Sequence, residues 1–150
     1  MKLSQILTQT TINSGVYFIQ SEIDVNEIKR VLEKENRRLF HFDGNNIVTS
    51  QDFFNVAKEI MSFPYLGDNW NALLDCMRDM SWHPANGYIL IYDDFQVFAR
   101  NNPKDFQIAL EVMKDATESW RIDRHNKPFM YILLRGDKQF ASEIQVLDEE

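Results

Sequence analysis

The sequence has little of several features that mark specialised classes of protein. Its 150 residues include one cysteine, Cys76, which cannot form an internal disulfide. The N-terminal residues lack an apolar segment followed by a small-residue cleavage site. No apolar run approaches the ~20 residues that a membrane-spanning helix needs. These absences argue against a disulfide-stabilised scaffold and a membrane protein, and we expect a cytoplasmic protein.

Basic side chains are fewer than acidic ones. The chain has 16 Lys and Arg residues against 23 Asp and Glu residues, for a formal net charge of -7. A protein that binds nucleic acid directly must present positive charge to phosphates, so this balance argues against such a function. An acidic surface suits a basic partner, although net negative charge also simply keeps a protein soluble.

Signatures of enzyme chemistry are few. The three histidines, at positions 41, 83 and 125, do not share helical spacing, and no phosphate-binding glycine loop or G-x-S-x-G motif occurs. Cys76 lies among apolar helix residues, where a packing role is favoured over a nucleophilic one. Asp93 and Asp94 follow a predicted strand and could hold Mg²⁺, but aspartate also commonly ends strands. We predict no enzymatic activity, metal site or cofactor, and keep a Mg²⁺-dependent enzyme as an alternative.

The few glycines and prolines all lie between apolar segments, which they separate clearly. The intervening patterns predict strands at 16–19, 39–42, 88–92 and 129–134, and helices at 24–37, 50–61, 68–80, 95–100 and 103–120. This alternation predicts an α/β fold in which a small, mainly parallel sheet of three to four strands packs with helices. We expect residues 148–150 to be frayed.

The predicted helix at 68–80 has two different sides. At ~100° per residue, one side carries a row of polar residues within an arc of about 80°, and the apolar residues lie roughly opposite. We call this row, Asp68, Asn71, Asp75 and Asp79, the acidic row. Like charges at i, i+4 destabilise a helix by a few tenths of a kcal/mol. The row is therefore consistent with a partner-binding surface, although an ordinary solvated helix face remains equally compatible with the spacing.

Two further features lie near this row in the sequence. Tyr65 precedes the helix in a loop with Gly67, where an exposed ring could anchor a protein interface or pack on its own domain. Glu111, Asp115 and Glu118 form a second acidic stripe on a later helix. If the two helices are neighbours, the stripes could form one surface.

The segment YLGDNWNALLDC, residues 65–76, resembles the loop and inhibitory helix of the barstar family, intracellular bacterial inhibitors of barnase-type ribonucleases. The likeness extends from about Phe40 to Leu134 and implies the parallel sheet with helices described above. Residues 1–38 resemble an N-terminal extension of longer relatives. We therefore expect a strand–helix extension at 1–38 packed on the same domain, a barstar-like domain at 39–136 and a C-terminal tail at 137–150.

The resemblance also implies roles for individual residues. Tyr65 would pack on the catalytic groups of the ribonuclease, Asp75 would reach deepest among its basic side chains, and Asp115 would make a peripheral contact. Gly67 would permit close backbone approach. The predicted partner-binding residues are Tyr65, Gly67, Asp68, Asn69, Asn71, Leu74, Asp75, Asp79 and Asp115.

Two positions depart from the family pattern. Asn71 and Leu74 stand where the inhibitor that gives the family its name has an acid and a tryptophan, which places binding of barnase itself in doubt. The sequence thus predicts an immunity-type inhibitor that binds a basic ribonuclease one to one. The alternative is a non-inhibitory binding module that uses the same acidic surface on another basic protein.

Overall fold

Four strands form one parallel sheet. The computed structural model describes residues 3, 7, 12–64, 67–123 and 128–148. Within these ranges the strands are β1 (Gly15–Phe18), β2 (Arg38–Asp43), β3 (Gly87–Asp93) and β4 (Phe129–Arg135). All neighbours pair in parallel, in the order β1-β4-β3-β2. This arrangement confirms the predicted α/β fold with a small parallel sheet.

The helices are α1 (Val25–Glu33), α2 (Ser50–Met61), α3 (Trp70–Asp79), α4 (Gln96–Asn101) and α5 (Pro103–Ile122). Short 3₁₀ turns occupy Gly44–Asn46 and Lys138–Ala141. None of the helices described here is long and apolar enough to cross a membrane. Most boundaries lie within two residues of their predicted positions.

Helix α1 is the exception, because it ends at Glu33 rather than near Arg37. The backbone of Asn36 enters the left-handed region with φ of 56°. The N–H of Arg37 then donates to the carbonyl of Leu32 at 3.0 Å, which turns the chain directly into β2. The charged residues after Glu33 therefore form a tight turn and do not extend the helix.

Helices cover both faces of the sheet. On one face, α2 to α5 enclose an aromatic core around Phe42, Phe53 and Tyr92. On the other face, Ile28 and Leu32 of α1 lie in a second apolar cluster with residues of β3 and β4. Strands buried on both faces need apolar residues on both sides, which explains the nearly continuous apolar runs of β3 and β4.

The C-terminal segment covers the β1 edge of the sheet. The N–H of Phe18 donates to the carbonyl of Gln145, and the N–H of Leu147 donates to the carbonyl of Phe18, both at 2.8 Å. The carboxylate of Asp148 is buried and accepts the N–H groups of Gln20 and Ser21, each at 2.9 Å. The expectation of a frayed Asp148 is therefore wrong, because these two donors fix its side chain. Residues 149 and 150 lie outside the described ranges.

Candidate functional site

The start of α3 is held by its own capping residue. The side-chain oxygen of Asn69 accepts the N–H of Ala72 at 2.8 Å, and the helix begins at Trp70. Asp68 therefore precedes the helix and does not lie within it. A Cβ atom at Gly67 would lie 2.9 Å from Nδ2 of the Asn69 side chain, so any other residue at this position would crowd the capping side chain. Asn69, predicted to contact a partner, thus already has a role in the fold.

The apolar side of α3 is packed into the aromatic core between α2 and α5. Leu73, Cys76 and Met77 are buried, and the ring centroids of Trp70 and Phe54 lie 4.7 Å apart. Leu74 is half-buried against the same core. This packing fixes the orientation of the opposite, solvent-facing side of the helix.

Cys76 is a buried thiol within this packing. Burial raises the pKa of the thiol, and the nearby charges of Asp75 and Asp79 raise it further. A thiol that stays protonated is a poor nucleophile, which supports the packing role inferred from the sequence.

All four members of the acidic row are exposed to solvent. Asp75 and Asp79 lie on the side of α3 opposite its buried residues. Within the described part of the chain, neither carboxylate forms an ion pair. Among the described residues, the only hydrogen bond to these two carboxylates is donated by the N–H of Ser81 to Asp79 at 3.3 Å. The fold therefore presents both carboxylates to solvent.

Asp68 differs from the rest of the row. Its carboxylate lies 2.7 Å from the ammonium group of Lys58 on α2. The hydrogen bond from Lys58 lowers the pKa of Asp68. Helical spacing within residues 68–80 could not reveal Lys58 as a neighbour of the row, because that contact arises from the packing of two separate helices.

Helix α5 lies beside α3, as the shared-surface hypothesis required. The indole N–H of Trp120 donates to the carbonyl of Met77 at 2.9 Å and joins the two helices. A groove of about 390 Å³ separates their exposed sides, with Arg78 on α3 and Asp115 and Glu118 on α5 among its lining residues. Ile122, at the end of α5, also lines it and is 68% exposed.

The second acidic stripe is partly neutralised by its own helix. Glu118 forms an ion pair with Arg121, and Glu111 lies 3.6 Å from the ammonium group of Lys114. Asp115 is exposed and forms no ion pair in the ranges that the structure covers. We call Asp75, Asp79 and Asp115 the acidic face. Tyr65, the aromatic residue expected beside it, lies outside the described residues.

A separate charged cluster lies at the carboxyl end of the sheet, where the sequence placed a possible Mg²⁺ site. The two carboxylate oxygens of Asp93 contact Nε2 of His41 at 2.6 Å and Nε of Arg135 at 2.5 Å. Burial opposes ionisation of Asp93, but the hydrogen bonds from His41 and Arg135 outweigh it and hold its pKa below the usual value. The neighbouring Asp94 accepts the side-chain amide of Asn45 at 3.1 Å.

This geometry does not favour the magnesium alternative. Both oxygens of Asp93 already have strong donors, and among the described residues no three His, Cys, Asp or Glu side chains converge as metal ligands. The cluster was not identified from the sequence, since His41 and Arg135 come from β2 and β4. The parallel register places Arg135 opposite Asp93.

Comparison with solved structures finds the same general fold in a much larger protein. The ORC2 protein of Aeropyrum pernix matches in its ADP form with a TM-score of 0.58 and in its ADPNP-ADP complexes with a TM-score of 0.56. Sequence identity is 14% in both cases, so the likeness concerns the fold alone. The matches cover 93% of this chain and 39% to 40% of the ORC2 chain, so this chain spans about two fifths of that protein.

Comparison with family models gives a more specific result. No curated protein matches the chain. The model described as barstar (barnase inhibitor) matches residues 37–134, a segment that runs from the start of β2 to the end of β4 and includes α3. Because this match covers well over half of the sequence, the chain belongs to the barstar (barnase inhibitor) family.

Proposed function

We propose that this protein is an immunity-type inhibitor of a ribonuclease and acts in the cytoplasm by blocking the basic active site of that enzyme. In a one-to-one complex, α3 and the loop before it enter the site where RNA phosphates bind. The main supporting observation is that Asp75 is exposed on a firmly packed helix and lacks an internal cation in the described part of the chain. Its charge is therefore available to a partner.

Electrostatics favours an enclosed site over a flat contact. Two unit charges 4 Å apart attract by about 1 kcal/mol in water and by about 4 kcal/mol at an effective dielectric constant near 20. Carboxylates on a convex helix experience the lower effective dielectric constant only when a partner surrounds them. An RNA-binding cleft is concave and positively charged, so it would both surround these carboxylates and supply the opposite charge. The attraction between exposed charges is screened by salt, and inhibition should weaken as ionic strength rises.

The size of a stable interface indicates which other elements take part. An ordinary interface covers about 800 Å² on each partner. A ten-residue helix is only about 15 Å long, so α3 alone is too small. Gly67 lies in the segment just before α3, and Asp115 lies on the neighbouring helix α5. We expect both the loop before α3 and part of α5 to contribute to the interface.

Two side chains, Asn71 and Leu74, depart from the pattern that suits barnase. Asn71 removes one negative charge, and Leu74 offers less contact area than a tryptophan. We therefore expect a target other than barnase, with a cationic site centred on Asp75.

Titration against a panel of small basic ribonucleases tests the proposal. For the cognate enzyme we expect inhibition that is competitive with RNA, saturates at one inhibitor per enzyme and weakens with salt. Asp75→Ala should weaken inhibition by more than about 30-fold, or about 2 kcal/mol, since it leaves a partner cation buried without a counter-charge.

Glu27→Gln provides the matched control, because it removes an exposed charge from α1 on the other face of the sheet. Its inhibition should equal that of the natural sequence. Equal loss in both variants would show a general charge effect and contradict a specific role for Asp75. Tight binding to a basic protein without inhibition would favour the alternative of a non-inhibitory binding module.

A further inference from the structure

The outer edge of β2 is the less protected edge of the sheet. At the opposite edge, β1 pairs with the segment around Val146, which joins the sheet in parallel. At β2, no hydrogen bond within the described ranges reaches the backbone of residues 38–43 from any element other than β3. An edge strand presents a row of unpaired N–H and C=O groups that can bind another extended chain.

A groove accompanies this edge. It has a volume of about 380 Å³. Helix α1 lines one side of it, Ile60 of α2 lines the other side, and β2 lies between them. Leu39 contributes a half-buried apolar side chain, and Ile60 is 38% exposed. Apolar side chains on both sides of an open strand are the features that bind alternate side chains of an added strand.

The charges around the groove differ from those of the whole protein. Lys29 lines it with a side chain that is 53% exposed and lies 4.0 Å from Glu33. Arg38 is exposed at the start of β2. At the other end of the strand, the carboxylate of Asp43 accepts the N–H of Asn45 at 3.0 Å. Arg38 therefore presents an exposed cation at the beginning of the edge, although the chain carries a net charge of -7.

From these observations we propose that the outer edge of β2 is a second interaction surface, where an extended segment of a partner protein adds to the sheet as a further strand. The segment alternates acidic and apolar residues, with an acidic residue opposite Arg38. A second copy of this chain fits less well, because two molecules of the same net charge repel each other. The surface lies at the sheet edge opposite β1 and includes none of Asp75, Asp79 and Asp115.

A short synthetic peptide provides the direct test. The probe is an acetylated, amidated hexapeptide with the sequence Glu-Val-Thr-Val-Glu-Val, titrated into isotopically labelled full-length protein to about 5 mM. Binding at this level corresponds to only about 3 to 4 kcal/mol, which a single added strand can supply. We expect saturable shifts of the backbone amide signals of residues 38–43, together with slower hydrogen exchange at the amides that face outward.

Matched peptides separate strand addition from general adhesion. Methylation of alternate peptide nitrogens removes the backbone donors and should weaken binding by about tenfold, as expected for the loss of one to two net hydrogen bonds. Replacement of both glutamates by lysines should also weaken it. Equal affinity of the methylated and unmethylated peptides would overturn the proposal, as would the absence of saturable shifts at residues 38–43.

Two protein variants test the charge argument. Arg38→Glu should weaken binding of the acidic peptide several-fold, whereas Lys104→Glu, an exposed change at the start of α5, should leave it unaltered. Equal affinity in the two variants would remove the charge basis of the proposal. If the amide signals of residues 38–43 change on dilution without peptide, a second copy occupies the edge and the partner-strand proposal is wrong.

Discussion

The ammonium group of Lys58 lies 2.7 Å from the carboxylate of Asp68, so the chain itself neutralises the first member of the acidic row. Asp75, seven residues further along, forms no such pair in the described part of the molecule. The available negative charge is therefore centred on the middle and end of α3, beside Asp115 of α5. A cationic partner should be oriented toward this region.

Charge removal at Asp75 and at Asp68 should have unequal effects on inhibition. Asp75→Asn preserves the shape of the side chain and should weaken inhibition of the cognate ribonuclease by more than about 30-fold. Asp68→Asn should weaken it less than about fivefold, since Lys58 already neutralises that carboxylate. Inhibition constants measured at one ionic strength provide the comparison. A larger effect at Asp68 would contradict the inferred centre of charge.

The Asp93 cluster should make stability depend on pH in a predictable direction. The pKa of Asp93 in the folded protein lies below its ordinary value of 3.8, so ionised Asp93 stabilises the fold above that pH. This stabilisation is lost as the pH falls through the folded-state pKa. Asp93→Asn should therefore cost about 1–3 kcal/mol at neutral pH, and its difference from the natural protein should shrink below about pH 4.

Urea unfolding between pH 7 and pH 3 measures this difference. Asp94→Asn makes the same charge change at the next residue, which has a left-handed backbone (φ of 53°) that asparagine tolerates. Its stability at neutral pH should stay within about 0.5 kcal/mol of the natural protein. A pH-independent loss in Asp93→Asn would show that the contacts with His41 and Arg135 are not electrostatic in origin.

Asp148 should anchor the C-terminal segment to the β1 edge. Asp148→Ala leaves the N–H groups of Gln20 and Ser21 without their acceptor and should cost about 1–3 kcal/mol. Hydrogen exchange should accelerate at the amides of Phe18 and Leu147, which pair this segment with the sheet. Ser142→Ala, an exposed change in the same segment, should leave both amides protected. Unchanged exchange in Asp148→Ala would refute the anchoring role.

Gly44 should be essential to the junction between β2 and β3. A Cβ atom there would lie 2.2 Å from the carbonyl oxygen of Asp93 and 2.3 Å from that of Asp94. Because backbone atoms move at a high energetic cost, Gly44→Ala should destabilise the protein by about 1–3 kcal/mol in urea unfolding. At Gly15 the nearest atom would be 3.4 Å away on the side chain of Tyr17, so Gly15→Ala should be tolerated. Equal stability of the two variants would contradict this interpretation.

Local pattern was enough to predict the main elements of the fold. The apolar runs at 88–92 and 129–134 predicted the two central strands, since a strand covered on both faces needs apolar residues at every position. The spacing of apolar and acidic residues predicted the two sides of α3, because helical periodicity decides which side chains share a face. Thr49 and Asn69 act as N-caps at the starts of α2 and α3.

Contacts between distant segments were not predictable in this way. Asp148 was expected to be frayed, yet its carboxylate binds backbone groups at Gln20 and Ser21. Likewise, Asp93 was read as part of a possible metal site, whereas neighbouring strands supply His41 and Arg135 to it. Strand order and register decide such contacts, and neither leaves a local signal in the chain.

The sequence alone thus determined where helices and strands form and which side of α3 carries acids, because these properties depend on residues within one or two turns of each other. Tertiary structure decided which carboxylates lack an internal counter-charge, since Lys58 reaches Asp68 only after α2 packs near the start of α3. It also decided which sheet edge stays open, since the C-terminal segment pairs with β1 and leaves β2 uncovered among the described residues. Ion pairs and backbone hydrogen bonds act over a few ångströms, so their effect depends on the positions of whole elements in space.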